Sequence, residues 1–224
     1  MKPQIDLPKS LEGLLEIIKT TAVDIGIARL ALVGGVVRDQ LLSKYSQELF
    51  PTSQDIDLIV EGSVNELANT LQSNLGSKRV KILRENNSYK TIEMKIDNTI
   101  FDLATARKEV YAAPAENPKV SIASLEEDLQ RRDFSINAIA FDLMNKEFLY
   151  PLKSRNALIK RQLEFLHPDS VAEDPTRIIR GARYSARLNL RLNLESVQQV
   201  QATLRAWPWS WRPEEEPIQV PPSL

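Results

Sequence analysis

Cysteine is absent from the 224-residue sequence, and histidine occurs only once. Disulfide frameworks and thiolate metal sites are therefore excluded, which agrees with a reducing cytoplasm. No run of eighteen apolar residues appears, and the N-terminal residues lack the apolar core of a signal peptide. We therefore expect a cytoplasmic protein with no membrane partner. The formal net charge of −1 also argues against a general polyanion binder.

Positive charge is concentrated near the C-terminal end. Between Pro175 and Arg205 there are six arginines against one acid, Glu195. On a helix, Arg177, Arg180, Arg183 and Arg187 would share one side, and apolar residues would lie opposite. Such a stripe is either a solvated face or a surface that meets phosphates.

The hydrophobic pattern predicts an α/β (α+β) fold in which a mixed sheet with helices is followed by helices only. Helices are expected at Leu11–Ile25, Val36–Leu42 and Asn65–Leu75, and strands at Arg29–Val33, Asp55–Val60, Arg79–Leu83, Lys90–Ile96 and Thr99–Ala104. A long loop is expected at Arg107–Ser121, followed by helices at Leu125–Leu143, Asp169–Leu188 and Glu195–Ala206. This order predicts a head domain at 1–148, the start of a helical neck at 149–206 and a tail rich in proline and tryptophan at 207–224.

An acidic pair, Asp55 and Asp57, stands on a predicted strand. Side chains two residues apart on a strand point to the same face, so the two carboxylates can converge on a hard cation such as Mg²⁺. Two-metal sites use such cations in phosphoryl transfer. Taken alone, the pair could equally be solvated acids at a sheet edge.

Two glycines, Gly34 and Gly35, separate the first predicted strand from a helix. Such a turn lets main-chain N–H groups approach a phosphate at the helix N-terminus, and Arg38 could add positive charge. The spacing matches neither the dinucleotide fingerprint nor the P-loop.

Three stretches in order carry a family resemblance. Gly34-Gly35-x-x-Arg38-Asp39 followed by Asp55-x-Asp57 resembles the first motif of the bacterial-type (class II) tRNA nucleotidyltransferases and poly(A) polymerases, members of the polymerase β-like nucleotidyltransferase superfamily. Leu125–Ala138 resembles the second motif of that family, and Glu173–Arg177 resembles its nucleotide-selecting motif.

The resemblance implies an enzyme that adds C or A to the tRNA 3′ end from CTP and ATP with Mg²⁺. Asp55 and Asp57 would bind the metal, and Asp102 would be a third catalytic carboxylate. The implied nucleotide-binding residues are Gly34, Gly35 and Arg38 at the phosphates, Arg132 and Asp133 at the ribose and phosphate, Asp174 and Arg177 at the base edge, and also Asn137 and Arg180. The alternative for Asp174 and Arg177 is an ion pair on a helix surface.

The fit to the family fails at the expected head-to-neck hinge. Family members carry Asp-Pro-x-Gly-Gly-x-x-Asp-Leu there, whereas this chain has Tyr150–Leu158 without those glycines and acids. Enzymes that add only CC or only A, or a poly(A) polymerase, remain alternatives, as does a nucleotide- or RNA-binding module without turnover. The sequence does not indicate the oligomeric state.

Overall fold

The computed structural model describes residues 5–46, 55–150 and 153–206. The tail at 207–224 lies outside these ranges. The helices are α1 (Lys9–Asp24), α2 (Gly34–Ser46), α3 (Val64–Leu75), α4 (Leu125–Gln130), α5 (Ser154–Lys160), α6 (Ser170–Glu173), α7 (Thr176–Leu188) and α8 (Leu194–Arg205). The strands are β1 (Leu30–Val33), β2 (Ile56–Val60), β3 (Val80–Asn86), β4 (Thr91–Ile96), β5 (Thr99–Thr105), β6 (Arg107–Val110), β7 (Lys119–Ile122), β8 (Ala140–Asp142), β9 (Glu147–Leu149), β10 (Gln162–Leu163) and β11 (Arg191–Leu192). None of the helices within these ranges has the length and hydropathy of a membrane span.

A seven-stranded sheet forms the centre of the fold, with the strand order β3-β4-β5-β2-β1-β8-β9. Neighbouring strands are antiparallel, except that β2 and β5 run parallel. Two smaller sheets, β6-β7 and β10-β11, lie outside it. The prediction of helices only in the C-terminal segment was wrong, because β10 and β11 pair there; strands of two residues are too short to give a pattern in the sequence. The mixed α/β fold predicted from the sequence is confirmed.

The two faces of the central sheet have different coverings. On one face the strands share a large apolar core with α1, α2 and α3, to which Leu58 and Phe101 contribute. On the other face a smaller cluster joins Ile59 to Leu125 and Leu129 of α4. Because side chains alternate along a strand, Asp57 points to this second, less covered face. The candidate site therefore lies opposite the main core.

The segment predicted as a loop at Arg107–Ser121 is a β-hairpin, so that prediction was wrong in part. Strand β6 ends at Val110 and β7 begins at Lys119, and Pro114 and Pro118 both lie in the connection between them. Each strand has only four residues, which is too short to give a clear alternating pattern in the sequence.

The helix predicted at Leu125–Leu143 is also wrong beyond its first turns. A capping box formed by Ser124 and Glu127 starts α4, but α4 ends at Gln130. The Asp133 carboxylate then accepts the main-chain N–H of Phe134 at 2.8 Å, a local bond that competes with helix continuation. A 3₁₀ turn at Ser135–Asn137 follows, and the chain re-enters the sheet as β8.

The helix predicted at Asp169–Leu188 is broken at Asp174, whose backbone is extended. The following residue, Pro175, disfavours helical geometry in the residue before it. In α7 the arginine stripe lies partly against the head: Arg177 is buried, and the exposed Arg180 and Arg187 reach acids of the head. Arg183 is exposed. The arginine stripe is therefore not simply a solvated face.

Candidate active site

A cavity of about 660 Å³ lies over the second face of the sheet. The residues that line it come from β1, α2, β2, the outer strands β3 to β5, the β6-β7 hairpin, the segment after α4, and α7. Eleven of the residues singled out in the sequence line the cavity: Gly34, Gly35, Arg38, Asp57, Asp102, Arg132, Asp133, Asn137, Asp174, Arg177 and Arg180. Asp55 does not line it. This side chain is exposed and stands just before β2 rather than within it.

Asp57 and Asp102 are direct neighbours across the parallel pair β2 and β5. The pKa of Asp57 is raised to about 6, mainly by burial. The charges of Asp102 and Asp55 contribute to the rise, and the nearby Arg132 acts against it. Burial also raises the pKa of Asp102, with Glu93 and Asp55 adding to the shift. Carboxylates crowded in this way lower their energy when a cation comes between them.

Gly34 brings the main chain of the first turn against the Asp57 carboxylate. Its φ is +71°, and a Cβ on this residue would overlap the Asp57 carboxyl oxygen Oδ2. Only glycine allows both this backbone conformation and this close approach. The turn, the N-terminus of α2 and Asp57 therefore form one compact unit.

A divalent metal fits this arrangement through a small number of ligands. The described residues contain no group of three or more acidic, histidine or cysteine side chains arranged to hold a metal. Mg²⁺, however, is commonly bound by one or two carboxylates, with waters and substrate phosphates completing its shell. The adjacent pair Asp57 and Asp102 matches that donor set, and Asp55 lies at its edge.

Arg38 is buried and held on several sides. Its Nε and Nη2 atoms each lie 2.7 Å from Asp39 Oδ1, and its Nη1 donates to Asn137 Oδ1 at 2.9 Å. The guanidinium also lies over the Tyr184 ring, 5.2 Å from the ring centroid. Asp39 also forms an ion pair with α7, because its Oδ2 lies 3.4 Å from Nη2 of Arg187. Arg38 is thus fixed in place by partners from α2, from the 3₁₀ turn at Ser135–Asn137 and from α7.

Asp133 links the segment after α4 to α7. Its Oδ1 accepts from Asn137 Nδ2 at 2.9 Å, and its Oδ2 lies 2.9 Å from Arg180 Nη2. Beside this ion pair, Phe134 stacks on Phe165, and a Cβ on Gly181 would lie 2.9 Å from the end of the Phe134 ring. Gly181 therefore lets α7 approach the head closely.

Asp174 and Arg177 stand at the start of α7 on the cavity wall. Asp174 precedes the helix, so the two residues do not share the face of one helix. The carboxylate of Asp174 accepts hydrogen bonds from the main-chain N–H and the hydroxyl of Thr176, the first residue of α7. Arg177 is 3% exposed, donates from Nη2 to the carbonyl oxygen of Arg131 at 3.1 Å, and lies 3.8 Å from Asp174. The two residues do form an ion pair, but within a cavity rather than on an exposed helix surface.

Two arginine nitrogens in this wall are buried and, among the described residues, have no hydrogen-bond acceptor: Arg177 Nη1 and Arg132 Nε. Buried donors are nearly always satisfied in folded proteins. Both belong to residues that line the cavity, so a polar ligand there could satisfy them.

Sequence reasoning missed the acidic side chains that hold Arg131 and Arg132 in the cavity wall. Asp128 is fully buried and accepts from Arg131 at 2.7 Å and from Arg132 at 3.3 Å. Glu109 of the hairpin accepts from Arg131 at 2.8 Å and from the Tyr111 hydroxyl at 3.0 Å. The sequence did contain a signal for these contacts: acids and arginines are clustered within the second motif, a composition typical of a buried ionic network.

The profile described as the poly A polymerase head domain matches residues 30–164. An A-adding tRNA nucleotidyltransferase from Aquifex aeolicus is 39% identical over 168 residues, which are 74% of this chain and 19% of that protein. A CC-adding tRNA nucleotidyltransferase from Deinococcus radiodurans is 36% identical over 174 residues, 76% of this chain and 44% of that protein.

Among solved structures, a tRNA nucleotidyltransferase in complex with a primer tRNA and an incoming ATP analogue superposes with a TM-score of 0.68 at 33% identity. The match covers 84% of this chain and 50% of that one. The present chain therefore spans half or less of the length of these proteins.

Proposed function

Since the chain belongs to the poly(A) polymerase head-domain family, we propose that it is the catalytic head of a nucleotidyltransferase that adds C or A to the 3′ end of tRNA. The observation that carries the proposal is the joint placement of two elements in one cavity. The in-register carboxylates Asp57 and Asp102 lie beside the Gly34 turn, and the Asp174–Arg177 pair lies on another wall. Relatives that add A and relatives that add CC both support it.

In the proposed reaction the 3′-hydroxyl oxygen of the RNA bonds to the α-phosphorus of CTP or ATP. The bond from that phosphorus to the bridging oxygen of the β-phosphate breaks, and pyrophosphate leaves. Asp102 accepts the hydroxyl proton. Asp57 and Asp102, with Asp55 at their edge, would hold Mg²⁺, which would supply charge neutralisation and activation of the hydroxyl when bound.

The triphosphate is assigned to the N-terminus of α2, where the main-chain N–H groups after Gly34 and Gly35 favour an anion. Arg38, already fixed by Asp39, supplies charge without further ordering. The ribose is assigned to Arg132 and Asp133, with Asn137 and Arg180 holding Asp133 in place.

The base is assigned to Asp174 and Arg177. An acid accepts from the exocyclic amine that both cytosine and adenine carry, and an arginine donates to a ring nitrogen or carbonyl. The buried Arg177 Nη1 is available for that bond. Uracil and guanine place a carbonyl oxygen where cytosine and adenine carry the amine, so Asp174 would face an acceptor at that position. The cavity thus has the chemistry to prefer CTP and ATP.

Three finer points complete the proposal. The boundary between head and neck is placed at 148/149, so that Asp174 and Arg177 belong to the neck. The proposal that tRNA is the partner is supported by the tRNA bound in the related structure. The absence of cysteine favours a cytoplasmic location.

The test is to incubate the chain with Mg²⁺, a tRNA transcript that lacks its 3′ CCA, and one labelled nucleotide at a time. We expect C or A to be incorporated and U and G to be excluded, and sequencing of the products separates CC, A, CCA and poly(A) addition. The Asp57→Ala protein is the matched inactive control. If the parent chain incorporates nothing while binding CTP, the chain is a binding module and the proposed activity is wrong.

A further inference from the structure

A single row of side chains crosses the sheet from the phosphate turn to its outer edge. Along this row the structure pairs Val33 with Asp57, Asp57 with Asp102, Asp102 with Glu93, and Glu93 with Arg84. Directly paired residues lie on the same face, so the four charged side chains face one way. All four line the cavity. The outer two, Glu93 and Arg84, have no role in the nucleotide site proposed above.

A β-bulge puts Arg84 into this row. The pairing of β3 with β4 shifts between Ile82 and Arg84. Without that shift, Leu83 would lie opposite Glu93, and Arg84 would point with Ile92 toward the main core. The bulge instead leaves Leu83 48% exposed and turns a cation to the cavity face. Bulges beside active sites commonly re-aim a side chain in this way.

Arg84 is held loosely and remains open to a ligand. Its side chain is 82% exposed, and its Nε lies 4.0 Å from Glu93 Oε2. Glu93 is paired directly with Asp102 on the neighbouring strand. The charge of Glu93 raises the pKa of Asp102, and the charge of Arg84 lowers it. The arginine therefore offsets negative charge at the end of the carboxylate row while its remaining donors face outward.

The position of Arg84 relative to the phosphate turn identifies its ligand. Strands lie about 4.8 Å apart, so Arg84 is three strands, or roughly 14 Å, from Asp57 along the row. In phosphoryl transfer the attacking and leaving oxygens are roughly in line. With pyrophosphate leaving at Gly34, the attacking hydroxyl has to approach from the side of Asp102, Glu93 and Arg84.

We propose that Arg84, aligned by the bulge and by Glu93, binds a backbone phosphate near the 3′ end of the RNA that receives the nucleotide. This inference rests on the proposed function, because it takes the direction of attack from it. It assigns the outer edge of the sheet, strands β3 and β4, to the second substrate. The nucleotide then occupies the opposite end of the same cavity.

The experiment measures two affinities by direct titration. The RNA probe is a fluorescent minihelix of an acceptor stem with a single-stranded 3′ end, and the nucleotide probe is CTP with Mg²⁺. Arg84→Ala should weaken minihelix binding about tenfold and reduce the slope of log K against log salt by about 0.7, the contribution of one phosphate on a single strand. The CTP affinity should change less than twofold, and Arg84→Lys should retain most of the RNA affinity.

Lys81→Ala is the matched control, because Lys81 is an exposed cation on the same strand that does not line the cavity. It should bind minihelix and CTP like the parent chain. Unchanged RNA affinity and salt slope in Arg84→Ala would overturn the assignment, as would an equal loss of CTP affinity. Failure of the parent chain to bind the minihelix would overturn it too. Failure of nucleotide transfer, with RNA binding still dependent on Arg84, would instead overturn only the proposed activity.

Discussion

The inner wall and the outer rim of the cavity are built in different ways. The inner wall, formed by Arg38, Asp133, Asn137 and Arg180 with Asp39 behind Arg38, is an interlocked set of polar and charged side chains. Its members, except Arg180, are nearly inaccessible. The outer rim, formed by Glu93 and Arg84, is partly or largely exposed, and Arg84 Nε lies 4.0 Å from Glu93 Oε2. The inner wall is ordered before any ligand arrives, whereas Arg84 on the rim keeps exposed donors available for a substrate.

This difference decides what a substitution reports. Removing one member of a buried ion pair leaves the other charged and unpaired, which typically costs several kcal/mol. Exposed pairs contribute about 0–1 kcal/mol. Variants of the inner wall therefore mix folding with function, whereas variants of the rim report substrate binding alone.

The largest expected effect on stability is that of Asp39→Ala. Asp39 is 1% exposed and lies within ion-pair distance of both Arg38 and Arg187, so its loss leaves Arg38 buried without a counter-charge. We expect the free energy of unfolding to fall by about 3–5 kcal/mol. Urea denaturation of the variant and the parent chain measures it.

Arg84→Ala is the rim counterpart, and its unfolding free energy should stay within about 0.5 kcal/mol of the parent value. If the two substitutions destabilise the chain equally, the division into an ordered wall and a loosely held rim is wrong.

A smaller effect, of opposite sign, is expected at Asp57. Burial raises the pKa of this carboxyl from 3.8 to about 6, so its ionisation destabilises the folded chain. The cost is absent below about pH 4, grows as the pH rises toward 6, and persists above it. In EDTA at pH 7, Asp57→Asn should therefore be more stable than the parent by about 1–2 kcal/mol, less than the full shift implies because the group is partly exposed.

Thermal unfolding across pH 4–8 checks this expectation. Mg²⁺ should narrow the gap, because it stabilises the parent chain and not the variant. Asp102→Asn, on the neighbouring strand, should show the same direction. A variant less stable than the parent at pH 7 in EDTA would show that Asp57 is held by favourable contacts rather than crowded by like charges.

Base selection is expected to be worth about 1–3 kcal/mol at the Asp174–Arg177 pair. Asp174→Ala should reduce discrimination against UTP by roughly tenfold or more, with a smaller effect on the rate of CTP incorporation. Competition between labelled CTP and UTP measures the ratio. Thr176→Val removes the hydroxyl that Asp174 accepts and keeps the acid, so it serves as control. An unchanged ratio in Asp174→Ala would reduce the pair to a structural ion pair.

Much of the inner site could be predicted from the sequence because its chemistry is local. Gly34 and Gly35 between a strand and a helix, and Asp57 on the next strand, are patterns that short-range geometry imposes. Five strands of the central sheet, β1 to β5, were predicted to within a few residues for the same reason, whereas β8 and β9 were missed. Asp55, predicted to share the strand of Asp57, stands just before it. The family resemblance carried Arg132, Asp133, Asp174 and Arg177.

What could not be predicted depends on pairing across the sheet. Glu93 and Arg84 become part of the site only because register and a one-residue bulge bring them into line with Asp102, and no local pattern encodes that alignment. The same holds for Glu109, which meets Arg131 only once the hairpin forms. Asp133 breaks the helix predicted around it, because a side-chain bond to the main chain outweighs helix propensity there.

The measurement that tests the account most directly is nucleotide binding by this chain, because all the assigned contacts to phosphate, metal and base lie between Gly34 and Arg180. Calorimetric titration with CTP, ATP, UTP and GTP in Mg²⁺ should show binding of CTP and ATP at least about tenfold tighter than that of UTP and GTP. The binding should weaken strongly in EDTA and in Asp57→Ala. Equal affinity for all four nucleotides, or binding that is indifferent to Mg²⁺ and Asp57, would contradict the assignment of this cavity.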